Sequence, residues 1–337
     1  MGRLDATSPP SHCRFPLRDP FVALIACLAV AAPVGAQCSS GTQRLVAELK
    51  YDEARATTEA LLKRNESDDA AMHCMGSIYM AEGKSGGAVD WYEKAVKVNG
   101  RDALHHLYLG QVLGTEAQRA NKLRQPFLAK RVKSEFERTV ALDPSLIDGH
   151  DGLMQFYLLA PGFMGGSLDK AKEQAQAIGR LNALQGHYAM TTIAVHEKDY
   201  ALAEHELQAA IAAAPDSLGA LYSLGSLYQN EKKWGNAFDL YDRMIKERPS
   251  ELLPHFWYGR TAAVSGENTE RGERELKFWL ANAPNDAPIV TQSGAHMRLG
   301  MIYEKQGMKD NARSEYQTAL SINPKNTDVK KMLDALK

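Results

Sequence analysis

Two dipeptides in this chain begin like the zinc-binding helix of a metalloprotease: His196-Glu197 and His205-Glu206. That chemistry needs a second histidine four residues after the first, so that both imidazoles share one helix face. Tyr200 and Ala209 stand at those places, so both pairs read as helix-surface residues. Met72-His73-Cys74-Met75 offers soft ligands of the kind that suit Cu(I). Four consecutive helical residues fan around the axis and do not converge on one ion. The expectation there is two core methionines, a partly exposed His73 and a small buried Cys74. The glycine-rich stretch 162–166 lacks the Lys-Ser/Thr end of a phosphate loop, and it falls between two helical patterns rather than after a strand. A Cys-x-x-Cys-His haem site, a Gly-x-Ser-x-Gly elbow and a P-loop are all missing from the sequence. No catalytic residue, metal site or cofactor is therefore expected.

The cysteines carry the remaining covalent chemistry. Of four, Cys13 and Cys27 fall in an N-terminal segment that reads as an export address. Residues 21–32 are an unbroken run of small and apolar side chains, followed by Pro33 and the small residues Val34-Gly35-Ala36. Such a segment suits a signal peptidase, with cleavage expected between Ala36 and Gln37. A retained anchor is the alternative, although residues 21–36 are short for a span. Gln37 before Cys38 does not fit a lipoprotein signal. The expected mature chain, periplasmic or secreted, keeps Cys38 and Cys74, and two cysteines in an exported chain allow one disulfide. The alternative is a buried thiol at Cys74 and a loose Cys38. Asn65-Glu66-Ser67 is a glycosylation sequon whose use depends on the host.

The elements that carry these residues follow one repeated pattern. Leu221-x-x-Leu224-Gly225-x-x-Tyr228 leads to Ala237, Tyr241 and Pro249. Leu299-Gly300-x-x-Tyr303 leads to Ala312, Tyr316 and Pro324, and Met75-Gly76-x-x-Tyr79 leads to Ala88 and Tyr92. The spacing is 34 from Gly76 to Gly110, from Gly225 to Gly259, from Ala203 to Ala237 and from Pro215 to Pro249. Small residues let two antiparallel helices approach, large apolar ones fill the groove to the next pair, and proline ends the second helix. The chain resembles the tetratricopeptide repeat (TPR) proteins over nearly all of its length beyond residue 36. Leu128-Ala129-Lys130-Arg131-Val132-Lys133, Leu142-Asp143-Pro144 and Ala160-Pro161-Gly162 further resemble a group of exported bacterial TPR proteins.

The expected fold is all-α, a right-handed superhelical TPR solenoid. Its units are 37–67, 69–100, 103–144, 147–183, 184–215, 218–249, 252–284 and 293–324, with a capping helix over 325–337. Three places break the period. The 103–144 unit is too long, which lengthens its helices or adds a turn; 147–183 carries the glycine-rich turn; and 285–293 is an insertion between repeats.

The resemblance implies a polypeptide ligand on an inner face built from the first helices. Transferring the family's inner positions gives Tyr188 and Thr192, then Tyr222, Ser226 and Gln229, then Phe256 and Arg260, then Met297. Tyr188, Tyr222, Phe256 and Met297 make a ladder of large side chains, of the types enriched at interface hot spots. Simple packing of these rings against neighbouring helices is the alternative. His73 and Ser77, or Leu107 and Gln111, stand where a carboxylate-clamp TPR would carry Lys and Asn, so a chaperone-tail clamp is not expected. Arg119, Lys122, Arg124, Lys130, Arg131 and Lys133 form a basic insertion. It reads as a solvated helix face or, more sharply, as a patch for anionic lipid or an acidic partner.

Lys and Arg total 40 against 41 Asp and Glu, a formal charge of −1, which argues against nucleic acid as a partner. The expected function is an exported, non-catalytic scaffold or adaptor for a protein or peptide. A self-assembling envelope protein is the first alternative, and an enzyme with a site hidden by the repeat is the second.

Overall fold

A computed structural model describes residues 38–284 and 289–336. The address segment, its junction at Ala36, and part of the 285–293 insertion lie outside the described residues. Among those described are 17 α-helices, one 3-10 turn and no strand.

The helices pair as hairpins within two compact units that divide at Pro215 and Asp216. In the N-terminal unit α1 (Ser40–Ala47) pairs with α2 (Tyr51–Arg64), and α3 (Asp69–Ala81) with α4 (Ser85–Val98). Next come α5 (Ala103–Arg119) with α6 (Gln125–Leu142), α7 (Ile147–Leu159) with α8 (Leu168–Leu181), and α9 (Ala183–His196) with α10 (Tyr200–Ala213). In the C-terminal unit α11 (Leu218–Asn230) pairs with α12 (Trp234–Glu247), and α13 (Leu253–Ser265) with α14 (Thr269–Asn282). Then α15 (Ile289–Lys305) pairs with α16 (Lys309–Ile322), and α17 (Thr327–Ala335) packs on α16.

Close approach of the two helices explains the glycines that recur in five of the hairpins. A Cβ on Gly225 would stand 2.2 Å from Tyr241 Oη, and one on Gly300 would stand 2.3 Å from the Tyr316 ring. Both tyrosines are fully buried, so the first helix lies directly on the ring of the second. The turn between the two helices contains a left-handed residue in most hairpins. Gly83, Gly266 and Gly307 supply it at no steric cost, whereas Leu49, Lys198 and Lys232 adopt it at φ values near +60° (60, 60 and 57°). Side-chain caps on Ser39, Asp68, Asp102, Ser167, Asn182, Asp199 and Asn326 satisfy N-terminal amides and set where helices begin.

A second periodic device runs through the chain. His106, His150, His187, His255 and His296 sit on first helices, four residues before Gly110, Met154, Thr191, Gly259 and Gly300. Each Nδ1 meets a polar side chain of the second helix: Glu135 at 2.6 Å, Gln174 at 2.8 Å, Glu206 at 2.8 Å, Glu275 at 2.5 Å and Glu315 at 2.7 Å. Glu206, which in sequence looked like half of a metal motif, is thus the partner of His187.

The oversized third hairpin lengthens both helices. α5 has 17 residues and α6 has 18, where α3 and α4 have 13 and 14. Pro126 lies in the first turn of α6, where its missing N–H costs nothing.

Candidate functional site

In the C-terminal unit, α11, α13 and α15 are the first helices, and their inner face carries most of the expected residues. Tyr222 on α11 is half-buried and meets the Trp257 ring of α13 at 6.3 Å between centroids. The Arg260 guanidinium lies over the other end of this pair, 4.8 Å from the Trp257 centroid. Aromatic and guanidinium surfaces stacked in this way combine apolar area with a polar edge.

Several sequence expectations change here. Phe256 does not face the same way as Tyr222. Its ring packs on Trp279 of α14 at 5.4 Å and approaches the backbone of Gly294 on α15, so it serves the joint between hairpins. Trp257, one residue on, is the ring that meets Tyr222. Its position in the repeat is not one of the family's inner sites, so only the pairing with Tyr222 reveals it. Ser226 and Gln229, expected on the open face, are instead buried, each 8% exposed. Gln229 donates to Thr261 Oγ1 at 2.7 Å and to Tyr241 Oη at 3.3 Å, which turns its carbonyl oxygen toward Arg260 as acceptor. Met297 is half-buried on α15.

Tyr188 and Thr192 lie on α9 in the N-terminal unit, both half-buried, with the Thr192 hydroxyl donating to the Tyr188 carbonyl at 3.0 Å. On the inner positions of that unit, Leu107 is buried, and Asp151 lies in a desolvated place on α7. Burial pushes the Asp151 carboxyl up to about 6; Gln155, donating at 2.6 Å, works against this, and the Asp148 charge adds to the rise. The folded state therefore holds this proton more tightly than the unfolded chain, whose carboxyl titrates near pH ~4. No cost arises below that value, and stability is lost as the pH rises through about 6. Asp151→Asn is expected to stabilise the protein at pH 7 by on the order of 2 kcal/mol and to change nothing at pH 3.5, as read by urea unfolding at both values.

The metal question centres on a different place from the one sequence pointed to. His73 is fully buried rather than partly exposed, with its Nδ1 3.0 Å from Nδ1 of His105. Burial first, then the neighbouring His105, lowers the His73 pKa to about 3, so its ring stays neutral. Asp69, Asp102 and His105 bring one ligand atom each within 4.8 Å of one another. These atoms already serve the fold: His105 Nε2 is 3.1 Å from Asp69, Asn99 donates to Asp69 at 2.7 Å, and Asp102 caps α5 through the Leu104 amide. The cluster is a polar joint between the second and third hairpins.

Cys38 and Cys74 are joined by a disulfide, with their Cα atoms 5.1 Å apart. It ties Cys38, two residues before the start of α1, to the middle of α3, so Cys38 is not loose and Cys74 is not a free thiol.

The basic insertion is less bare than the sequence implied, because one acid arrives from another helix and one from its own. Arg131 pairs with Glu93 of α4, Lys133 with Glu137 at 3.5 Å, and Arg119 donates to Ser85 at 3.0 Å. Lys122, Arg124 and Lys130 are exposed, and Leu123 and Phe127 beside them are 83% and 76% exposed. Among the described residues, no helix is long and apolar enough to cross a membrane.

Comparison with known proteins follows the same repeat. Two family models described as tetratricopeptide repeat match, one over residues 43–103 and 192–251 and the other over 293–326. No curated protein sequence matches the chain. Among solved structures, a tetratricopeptide repeat protein from Parabacteroides merdae ATCC 43184 is similar at 12% identity and a TM-score of 0.50, covering 83% of this chain and 99% of its own. Yeast Tom70 is similar at 12% identity and a TM-score of 0.61, covering 98% of this chain and 67% of its own. At these identities the likeness is one of fold.

Proposed function

We propose that this chain, whose repeats match tetratricopeptide-repeat family models, is a scaffold for protein interaction and holds a polypeptide on the first-helix face of its C-terminal unit. The observation that carries this reading is the half-buried surface of Tyr222, Trp257 and Arg260. These are the residue types that dominate interface energetics, and the helices beneath them are fixed by the buried Gly225–Tyr241 contact. The role is non-catalytic: a rigid face presents anchors, and neighbouring polar groups select among partners. The protein acts outside the cytoplasm, as an adaptor or assembly scaffold in a bacterial envelope. The export address at 1–36 and the Cys38–Cys74 disulfide, a bond that persists in oxidising compartments, support that location.

Peptides selected from a random library against the wild-type protein test the face. The double variant Tyr222→Ala, Trp257→Ala is expected to weaken their binding by roughly 100-fold, a loss ordinary for two hot-spot aromatics, with helix content by circular dichroism unchanged. Full affinity in a folded double variant would contradict the proposal.

A further inference from the structure

Six arginines among the described residues are half-buried. Arg55, Arg248, Arg271 and Arg313 each have a carboxylate partner. Arg260 and Arg298 have none among the described residues, and every other arginine lacking one is exposed. Arg260 holds an inner-face position of α13, and Arg298 lies on α15, the first helix of the next hairpin; the two helices pack against each other. Arg260 is held by the Gln229 carbonyl oxygen and by the Trp257 ring. Arg298 donates to the Met301 thioether at 3.1 Å, a weak acceptor.

Both guanidinia are desolvated. Burial lowers the pKa of each; for Arg298 burial and then the charge of Arg260 bring it down to about 10. No carboxylate among the described residues opposes either charge, and the charge of Arg260 is felt at Arg298, an arrangement that costs stability. Nearby on α11, Tyr222 Oη and Ser226 Oγ, one turn apart, are buried without a hydrogen-bond partner. An anion arriving at this face would relieve the repulsion and meet preorganised donors in a low-dielectric setting.

We propose that Arg260 and Arg298 together receive a carboxylate of the bound polypeptide, so that the partner is a segment bearing Asp or Glu flanked by apolar side chains. The apolar flanks follow from Trp257, whose ring lies against Arg260, from Tyr222 stacked beside that ring, and from Met297, the neighbour of Arg298 in sequence; a free inorganic anion has no use for them. The assignment rests on the groove reading above and adds the chemistry of the ligand.

The test uses the full chain and a displayed library of random peptides. Selected peptides are expected to be enriched in Asp and Glu. R298Q is expected to weaken the best acidic peptide by about tenfold or more, the scale of a charge-assisted hydrogen bond. Replacing the peptide's Glu by Gln should weaken wild-type binding equally, and the two changes together should cost no more than either alone. R298Q should melt at the same temperature as wild type or higher, since it removes an unopposed charge. Selected peptides without acid enrichment, undiminished binding of acidic peptides by R298Q, or a lowered melting temperature would overturn the proposal. Inorganic phosphate that displaced the peptide at matching affinity would overturn it in favour of a free-anion site. A library that yields no binder at all sinks the groove reading itself, and with it this inference. The Glu-to-Gln peptide reads the contact without touching the fold.

Discussion

Gly186→Ala is expected to destabilise the N-terminal unit by about 3 kcal/mol, the upper range for forcing extra atoms into a packed contact. An added Cβ would stand 2.3 Å from the Cα and 2.9 Å from the N of Gly179. The obstacle is backbone, so no side chain can swing away. The two glycines face each other across the joint between α8 and α9. Asn182 alone links α8 to α9, ending the first helix and capping the second through the Gln185 amide at 3.0 Å. Gly114→Ala is the control. It lies inside α5 with nothing within 4 Å of its would-be Cβ, so the change should stabilise by about 0.5–1 kcal/mol through helix propensity alone. Thermal and urea unfolding of both variants would show a large loss in one and a small gain in the other. Equal behaviour would mean that α8 and α9 do not meet at these glycines.

Loss of the Cys38–Cys74 bond should have a similar size but a different reach. The cysteines are 36 residues apart, and releasing a loop of that length costs about 3–4 kcal/mol in the chain-entropy account. Repeat arrays hold stability locally, because each hairpin touches only its neighbours. Cys74→Ser, or reduction of the wild type, is therefore expected to lower hydrogen-exchange protection across α1 and α2 by roughly two to three orders of magnitude. Protection in α11–α17 should stay as it was. A uniform loss through the whole chain would contradict the local account. Unchanged protection in α1 and α2 would mean that packing of Val46 and Ala54, not the bridge, holds the first hairpin.

Much of the fold was legible in the sequence, because the landmarks are steric. Gly225, Tyr228, Ala237 and Tyr241 repeat at fixed spacing since two helices can lie at one distance only when one residue is missing its side chain. The rule failed where the chain found another solution. In the unit at 184–215, Thr191 stands in place of the landmark glycine, and the close glycine contact lies instead between hairpins, where Gly186 of α9 meets Gly179 of α8. The histidine pairs were also periodic, four residues before each landmark, yet they went unread because their partners lie 19 to 29 residues away on the facing helix. Lys198 and Lys232, in the left-handed turn position that glycine fills in other hairpins, carry no sequence signal.

The candidate face was legible by position but not by direction. The repeat placed Tyr222 and Arg260 where the first helices face inward. It could not show that Phe256 turns into the joint with Trp279, that Gln229 is drawn under the surface by Tyr241 and Thr261, or that Trp257 is the ring that meets Tyr222. Those outcomes depend on contacts between hairpins that period alone leaves open. The same holds for Arg298, whose significance lies in the absence of a nearby carboxylate among the described residues, a property of three helices together.

The central claim, that a polypeptide is held on this inner face, is tested most directly by site-specific photocrosslinking in cells that make the full chain. Tyr222→p-benzoylphenylalanine places a photoreactive ring on the face, and Asp239→p-benzoylphenylalanine places one on the exposed side of α12. The account expects a discrete crosslinked polypeptide from position 222 and none from position 239. Equal adducts from both positions, or adducts from 239 alone, would contradict it.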